Sequence, residues 1–202
     1  MLLLVTGASG VGKTTVRRLL EPQLGPEVEC AELWDLSPNP SAQNLEWRQR
    51  TTELGVERAV QLQREGRHFL LCGDPIAAVE VLAAPSADRL AGSAFCLLDA
   101  DRTTQAERLT NRGDDPALLV HHHAFAEWMR RQAADPMHML EVVTHNAWDQ
   151  MQWQRIHTLR PRWTVKVIDT TTREPAEVAA AVRSWICDVL SGTAAPLDLR
   201  SA

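Results

Sequence analysis

Short apolar runs alternate along the chain with longer stretches in which apolar and polar residues mix at helical spacing. The runs indicate five β-strands, at residues 2–6, 28–33, 68–72, 94–98 and 163–168. Asp115-Pro116 and Glu174-Pro175 mark the starts of two helices, and Gly192 marks the end of the last one. Because strands that alternate with helices form a parallel sheet, the pattern predicts an α/β fold with a five-stranded parallel sheet and helices on both faces.

A glycine-rich turn follows the first predicted strand directly. Residues 7–14 read Gly-Ala-Ser-Gly-Val-Gly-Lys-Thr, a complete G-x-x-x-x-G-K-[ST] phosphate-binding loop (P-loop) between a strand and a helix. Its glycines let consecutive backbone N–H groups face an anion, and the following helix adds the positive end of its dipole. Lys13 would neutralise the β- and γ-phosphates, and the Thr14 hydroxyl suits Mg²⁺, which prefers oxygen ligands. A glycine turn without a ligand is disfavoured by this context, so we predict a nucleotide site at Gly7, Ala8, Ser9, Gly10, Val11, Gly12, Lys13, Thr14 and Thr15.

Composition favours one compact domain over residues 1–202, since 45% of the residues are hydrophobic and 23% are charged. The net charge of −5 and the absence of a lysine or arginine run give no electrostatic reason for tight binding along a nucleic-acid backbone, although a local basic groove stays open. The four cysteines are widely spaced, which is typical of reduced core residues in a cytoplasmic chain. Only four apolar residues separate Met1 from the glycine loop, so we expect neither a signal peptide nor a membrane span.

Acidic residues follow four of the predicted strands, at Asp35, Asp74, Asp99 and Asp169. In a doubly wound sheet the ligand lies at the carboxyl ends of the strands, so these residues are candidates for chemistry. Asp35 would accept the proton of an attacking hydroxyl, with a helix-capping or turn residue as the alternative. Asp74, behind Gly73, would orient Mg²⁺ directly or through water, with an ordinary turn residue as the alternative. No glutamate follows Asp74, which argues against a motor-type ATPase.

Two arginines four residues apart, Arg108 and Arg112, share one face of a predicted helix ahead of Gly113. Guanidinium groups placed there would offset the negative charge that develops on a transferring phosphoryl group, and the glycine would let them close after nucleotide binds. A solvated charged face that includes Glu107 is the alternative. We predict a catalytic role for both arginines.

These features together resemble the P-loop kinases of the group that contains shikimate kinase, gluconate kinase, adenylate kinase and chloramphenicol phosphotransferase. The resemblance implies a three-layer P-loop NTPase fold with a helical lid and acceptor cap over about residues 108–160, and it implies ATP and Mg²⁺ as cofactors. It also implies that Asp35 lies beside the acceptor, that Arg108 and Arg112 belong to the mobile lid, and that the adenine lies beside Asp169, Thr170 and Thr171. The chain departs from several members because no second acid accompanies Asp35, and because residues 116–160 exceed a minimal lid.

The long segment between the lid arginines and the last strand is rich in histidine and tryptophan. His121, His122 and His123 are consecutive, so they cannot all face one way on a helix, and a metal site competes with surface and core-edge positions. The tryptophans either pack a helical cap on the sheet or stack on a substrate ring. Upstream of this segment, Arg48 is a candidate acceptor contact or part of a charged outer face, and Gly73 is a second candidate contact.

The first functional hypothesis is an ATP-dependent kinase that transfers the γ-phosphate to a small-molecule, nucleoside or nucleotide acceptor. A kinase of RNA or DNA ends is an alternative, and a slowly hydrolysing nucleotide switch is an alternative of another class. The switch is disfavoured because the chain has neither the Asn-Lys-x-Asp nor the Asp-x-x-Gly string of ordinary GTPases. The acceptor, the choice between ATP and GTP and the oligomeric state are left open by the sequence.

Overall fold

The computed structural model describes residues 1–38 and 44–199 of the 202-residue chain. In these residues a single parallel sheet has five strands in the order β2-β3-β1-β4-β5, which confirms the predicted α/β architecture. The strands are β1 (Leu2–Thr6), β2 (Val28–Ala31), β3 (His68–Cys72), β4 (Ser93–Asp99) and β5 (Lys166–Asp169). The helices are α1 (Lys13–Leu20), α2 (Leu33–Leu36), α3 (Leu45–Arg64), α4 (Ala78–Ala83), α5 (Arg102–Arg112), α6 (Leu119–Ala134), α7 (Glu141–Thr144), α8 (Arg155–Leu159) and α9 (Pro175–Leu190).

The central strand β1 is buried along its whole length. It pairs in parallel with β3 on one side, where Leu4 lies opposite Leu71, and with β4 on the other, where Leu4 lies opposite Phe95. Helix α1 packs against α9, α3 packs on β3 and α6 packs on β4. A strand covered in this way carries apolar side chains on both faces, which explains why the runs are continuous and do not alternate.

Three predicted strands have different limits in the structure. Strand β4, at Ser93–Asp99, extends one residue further at each end than the predicted 94–98. Strand β2 ends at Ala31, before the predicted limit, because Glu32 is already the N-cap of α2. Strand β5 begins at Lys166, because Trp163 belongs to the turn that precedes it. The Trp163 indole N–H donates to the carbonyls of Gln132 and Ala133 at 3.1 and 2.9 Å, which fixes this side chain on the end of α6.

The segment between Arg112 and β5 forms α6, α7, α8 and connecting turns. The carboxylate of Asp115 accepts from the Ala117 N–H at 2.9 Å, and a short 3₁₀ turn from Pro116 to Leu118 leads into α6, close to the predicted helix start. Trp128 is buried, and its ring stacks on Phe125 with the centroids 5.2 Å apart. Trp148 packs with Ala83 in a small separate cluster. These contacts agree with the packing interpretation of both tryptophans.

A buried glutamine ties this segment to α3. The Gln49 side chain donates to the carbonyl of Val143 at 2.8 Å and accepts from the Trp148 N–H at 2.8 Å.

In the part of the chain that the structure describes, no helix is both long enough and apolar enough to cross a bilayer.

Candidate active site

The P-loop forms a turn that encloses a space at the carboxyl end of β1. Gly7 has a φ of 153°, and a Cβ atom there would lie 2.3 Å from the carbonyl oxygen of Leu98, so the backbones of the loop and β4 approach too closely for any other residue. Gly12, with a φ of 94°, is the N-cap of α1, and its carbonyl accepts the first helical N–H, that of Val16, at 2.9 Å. The loop therefore aims the positive end of α1 at the space it encloses.

Lys13 is held over this loop. Its side chain is buried, and Nζ donates to the Ala8 carbonyl at 2.8 Å. Burial lowers the pKa of Lys13 to about 8, although the nearby Asp74 carboxylate opposes the shift. Phosphate oxygens would provide this buried ammonium with a negatively charged partner.

A cleft of about 590 Å³, here called the phosphate cleft, opens beside the loop. Its walls carry Ser9–Val16 of the P-loop and α1, together with Gly73, Pro75 and Thr170. Four guanidinium groups also face it, those of Arg18, Arg108, Arg112 and Arg173. A cleft with this surplus of positive charge and a P-loop as its floor is suited to a polyphosphate.

The two predicted lid arginines lie in the phosphate cleft, and both are held by partners. Arg108 donates to the hydroxyl of Thr170 at 3.0 Å and to its carbonyl at 2.7 Å. Arg112 forms a two-point ion pair with Asp114, with Nε 2.7 Å from Oδ1. The Thr170 hydroxyl also lies 3.2 Å from the Val11 carbonyl, so it links α5 to the P-loop.

The other two residues of the predicted adenine loop serve local structure. Asp169 accepts from the Thr171 N–H at 2.9 Å, and the Thr171 hydroxyl accepts from the Asp101 N–H at 2.9 Å. Neither lines the phosphate cleft, whereas Thr14 and Thr15 do.

A second cleft of about 550 Å³, here called the acceptor cleft, adjoins the first, and Pro75 lines both. Its other lining residues come from α2 and α3 with their N-caps, from α6 and α7, and from the loop after β3, and they are Glu32, Leu33, Trp34, Asn44, Leu45, Trp47, Arg48, Asp74, Phe125 and Val142. The predicted contact Arg48 lies here, whereas Gly73 lines the phosphate cleft.

Asp74 lies where the two clefts meet. Its carboxylate accepts from the Leu33 N–H at 2.6 Å, and burial raises its pKa in spite of that hydrogen bond. The Thr14 hydroxyl and the Asp74 carboxylate are the oxygen donors that Mg²⁺ prefers, and Mg²⁺ usually takes only one or two protein ligands and completes its shell with water and phosphate. The pair therefore fits the predicted metal role. Nowhere in residues 1–38 and 44–199 is a group of three His, Cys, Asp or Glu side chains arranged to hold a metal ion.

Asp35 and Glu32 both form ion pairs with Arg17, but only Glu32 lines a cleft. Asp35 lies 2.9 Å from Arg17 and accepts from the Glu32 N–H at 3.0 Å, so it caps α2, and it lines neither cleft. Glu32 lies 2.8 Å from Arg17 and lines the acceptor cleft. Sequence reasoning missed Glu32 because the predicted strand continued past it to residue 33. The available signal was the Glu-x-x-Asp spacing of a helix cap.

The consecutive histidines of α6 do not converge. His122 lies 3.9 Å from the carboxylate of Asp114, and Nδ1 of His123 accepts from Arg102 at 3.0 Å. His121 is exposed at the surface of the helix. Their placement agrees with the surface interpretation.

We expect nucleotide affinity to fall as the pH rises above about 8, because the Lys13 ammonium, with a pKa of about 8 in the free protein, is the form that binds phosphate. The slope should approach tenfold per pH unit. Burial raises the pKa of Cys30 to about 11 and that of Cys96 to about 12, so these thiols stay neutral in this range. Titration calorimetry with a non-hydrolysable MgATP analogue from pH 7 to 9.5 measures the slope, and a flat profile would contradict it.

In comparisons with known proteins, the chain matches no protein-family model and no curated protein. Solved structures do resemble it. A sugar kinase from a Janibacter species has a TM-score of 0.57 and 15% identity, with 94% of this chain and 96% of that chain covered. The tunicamycin resistance protein of Deinococcus radiodurans has a TM-score of 0.57 and 16% identity, with 92% and 94% covered.

A gluconokinase from Sinorhizobium meliloti has a TM-score of 0.52 and 17% identity, with 96% of this chain and 97% of that chain covered. Nearly the whole of each chain is matched, so the likeness extends from the P-loop through the helical cap to α9. At these identities the likeness concerns the fold. The chain thus has the three-layer α/β fold of P-loop kinases.

Proposed function

We propose that the protein is an ATP-dependent phosphotransferase that moves the γ-phosphate to a hydroxyl group of a small molecule. The observation that carries the proposal is the pair of adjoining clefts. One has a P-loop floor and cationic walls, the other has two carboxylates, and they meet at Asp74 and Pro75. A donor phosphate and an acceptor hydroxyl would therefore be held next to each other, which is the main requirement of phosphoryl transfer.

In the proposed reaction the acceptor oxygen attacks the γ-phosphorus in line with the bond to the β-phosphate oxygen. The new O–P bond forms as that bond breaks, ADP leaves with the bonding electron pair, and the hydroxyl proton passes to a carboxylate. Lys13, Arg108 and Arg112 offset the charge on the phosphate oxygens. Mg²⁺, held by Thr14 and through water by Asp74, would supply further charge neutralisation between the phosphates.

The identity of the proton-accepting carboxylate is part of the proposal. The sequence prediction that it is Asp35 stays a prediction. The lining of the acceptor cleft favours Glu32, because Glu32 lines this cleft whereas Asp35 lines neither cleft. Arg17 holds the Glu32 carboxylate in place at 2.8 Å, and such a partner keeps a general base oriented.

The test is a coupled assay of ADP release with MgATP and a panel of hydroxyl acceptors: sugars, sugar acids, nucleosides, nucleotides, aryl alcohols and an oligonucleotide with a free 5′-hydroxyl. We expect at least one small-molecule class to raise ADP release about tenfold or more above the rate with water. Equal rates with and without every acceptor would support the hydrolysing switch. Stimulation by the oligonucleotide alone, falling steeply with salt, would support the nucleic-acid-end kinase.

A further inference from the structure

Aromatic side chains from three helices line the acceptor cleft. Trp34 comes from α2, Trp47 from α3 and Phe125 from α6, and all three line the cleft. Trp34 is 43% exposed, a large exposure for a tryptophan, and Val142, which lines the same cleft, is 40% exposed. Exposed apolar groups that converge on one concave site are typical of a surface that binds a ligand with an apolar or aromatic body.

Among the described residues, Arg48 is the one arginine that lines the cleft, and its charge is neutralised by a buried carboxylate. Nε and Nη2 of Arg48 each lie 3.0 Å from one carboxylate oxygen of Glu80, which is fully buried. The other Glu80 oxygen accepts from the Ala77 N–H at 2.9 Å, so the carboxylate is fixed in place. A guanidinium group that already donates two hydrogen bonds to a buried carboxylate is neutralised by that carboxylate. It therefore attracts an anionic ligand only weakly.

The remaining charges do not compensate for this. Among the described residues that line the acceptor cleft, the carboxylates are those of Glu32 and Asp74, and the cation is Arg48. Two carboxylates therefore line the cleft with one cation, whose charge Glu80 already offsets. An acceptor that brought its own carboxylate or phosphate would meet a surplus of negative charge.

We infer that the acceptor is a hydroxyl compound that carries an aromatic ring and no negative charge. The inference rests on the proposed function and names the substrate class of the same site. The ring would lie among Trp34, Trp47 and Phe125, with its hydroxyl directed to Glu32 and Asp74 at the junction with the phosphate cleft. Sugar acids and nucleoside monophosphates, both compatible with the fold, are thereby excluded as preferred acceptors.

Three matched glycosides test the inference by binding. Phenyl β-D-glucopyranoside has a ring and no charge, methyl β-D-glucopyranoside lacks the aromatic ring, and phenyl β-D-glucuronide adds a carboxylate. Each is titrated by ligand-observed NMR into the protein loaded with a non-hydrolysable MgATP analogue. We expect the phenyl glucoside to bind about tenfold or more tightly than either of the others. Equal or tighter binding of the glucuronide or the methyl glucoside, or no binding of the phenyl glucoside, would overturn the inference.

Two variants link the preference to the named residues. Trp34→Ala should weaken phenyl glucoside binding about tenfold, and Leu54→Ala, a side chain of similar exposure (42%) on α3 outside the cleft, should leave it unchanged. Glu80→Gln, which keeps the size of the side chain and removes the negative charge that offsets Arg48, should shift the ratio of glucuronide to glucoside affinity about tenfold toward the glucuronide. Should Glu80→Gln fail to fold by circular dichroism, the exposed Trp34 position still decides the question, because an unchanged affinity in Trp34→Ala would refute the aromatic site.

Failure of the inference and failure of the proposed function have different signatures. If the MgATP analogue does not bind, the phosphotransferase proposal itself fails. If the analogue binds and ADP release is stimulated by sugar acids or nucleotides, the phosphotransferase proposal stands and only the acceptor class is wrong.

Discussion

A Lys13→Ala protein is expected to transfer phosphate on the order of 10³-fold more slowly than the unaltered protein. The reason is that Lys13 is the buried cation of the P-loop, with Nζ 2.8 Å from the Ala8 carbonyl and no competing ion pair among the described residues. Phosphate oxygens would replace that carbonyl as partners, and their charge increases as the phosphoryl group is transferred. Loss of the ammonium should therefore weaken both ATP binding and the transition state, which titration calorimetry and steady-state ADP release measure separately.

The chain offers a matched control, because its only other lysine is Lys166. Lys166 lies on β5 and lines neither the phosphate cleft nor the acceptor cleft. Lys166→Ala removes the same side chain and charge, so it should retain ATP affinity and turnover. Normal phosphate transfer by Lys13→Ala would show that the P-loop is not the donor site, and the two-cleft proposal would then fail.

The features that sequence reasoning found are those encoded locally. The P-loop is one contiguous string, and the strands β1 and β3 have the predicted limits because continuous apolar runs end at glycine or polar residues. Arg108 and Arg112 were also identified from local spacing, and the structure places both on the phosphate cleft.

The features that it missed depend on residues far apart in the chain. The neutralisation of Arg48 requires Glu80, which is 32 residues away. The sequence pattern around either residue does not indicate that the two side chains pair. The contact of Arg108 with Thr170 spans 62 residues. Glu32 was missed for a different reason, since its place on the cleft depends on where β2 ends, and strand ends are the least certain part of a periodicity argument.

Glu32→Gln and Asp35→Asn are expected to separate the two candidates for the proton acceptor. Glu32→Gln should lower kcat by about 10²- to 10⁴-fold, the usual contribution of a general base, with little change in ATP affinity. Asp35→Asn should lower kcat by less than about tenfold, because Asp35 lines neither cleft and acts on the site only through the cap of α2 and Arg17. The measurement is kcat with saturating MgATP and an acceptor identified in the panel.

The two variants control for each other. Both side chains pair with Arg17, at 2.8 and 2.9 Å, so each change removes one carboxylate from the same guanidinium group at the same end of α2. Any loss that reflects only the disturbed ion pair should therefore appear in both variants to a similar degree, and thermal unfolding reports it independently of turnover. A hundredfold loss in Asp35→Asn with near-normal Glu32→Gln would restore Asp35 as the base. Near-normal turnover in both would remove this acidic pair from proton transfer and leave Asp74, the other carboxylate on the acceptor cleft, to accept the proton.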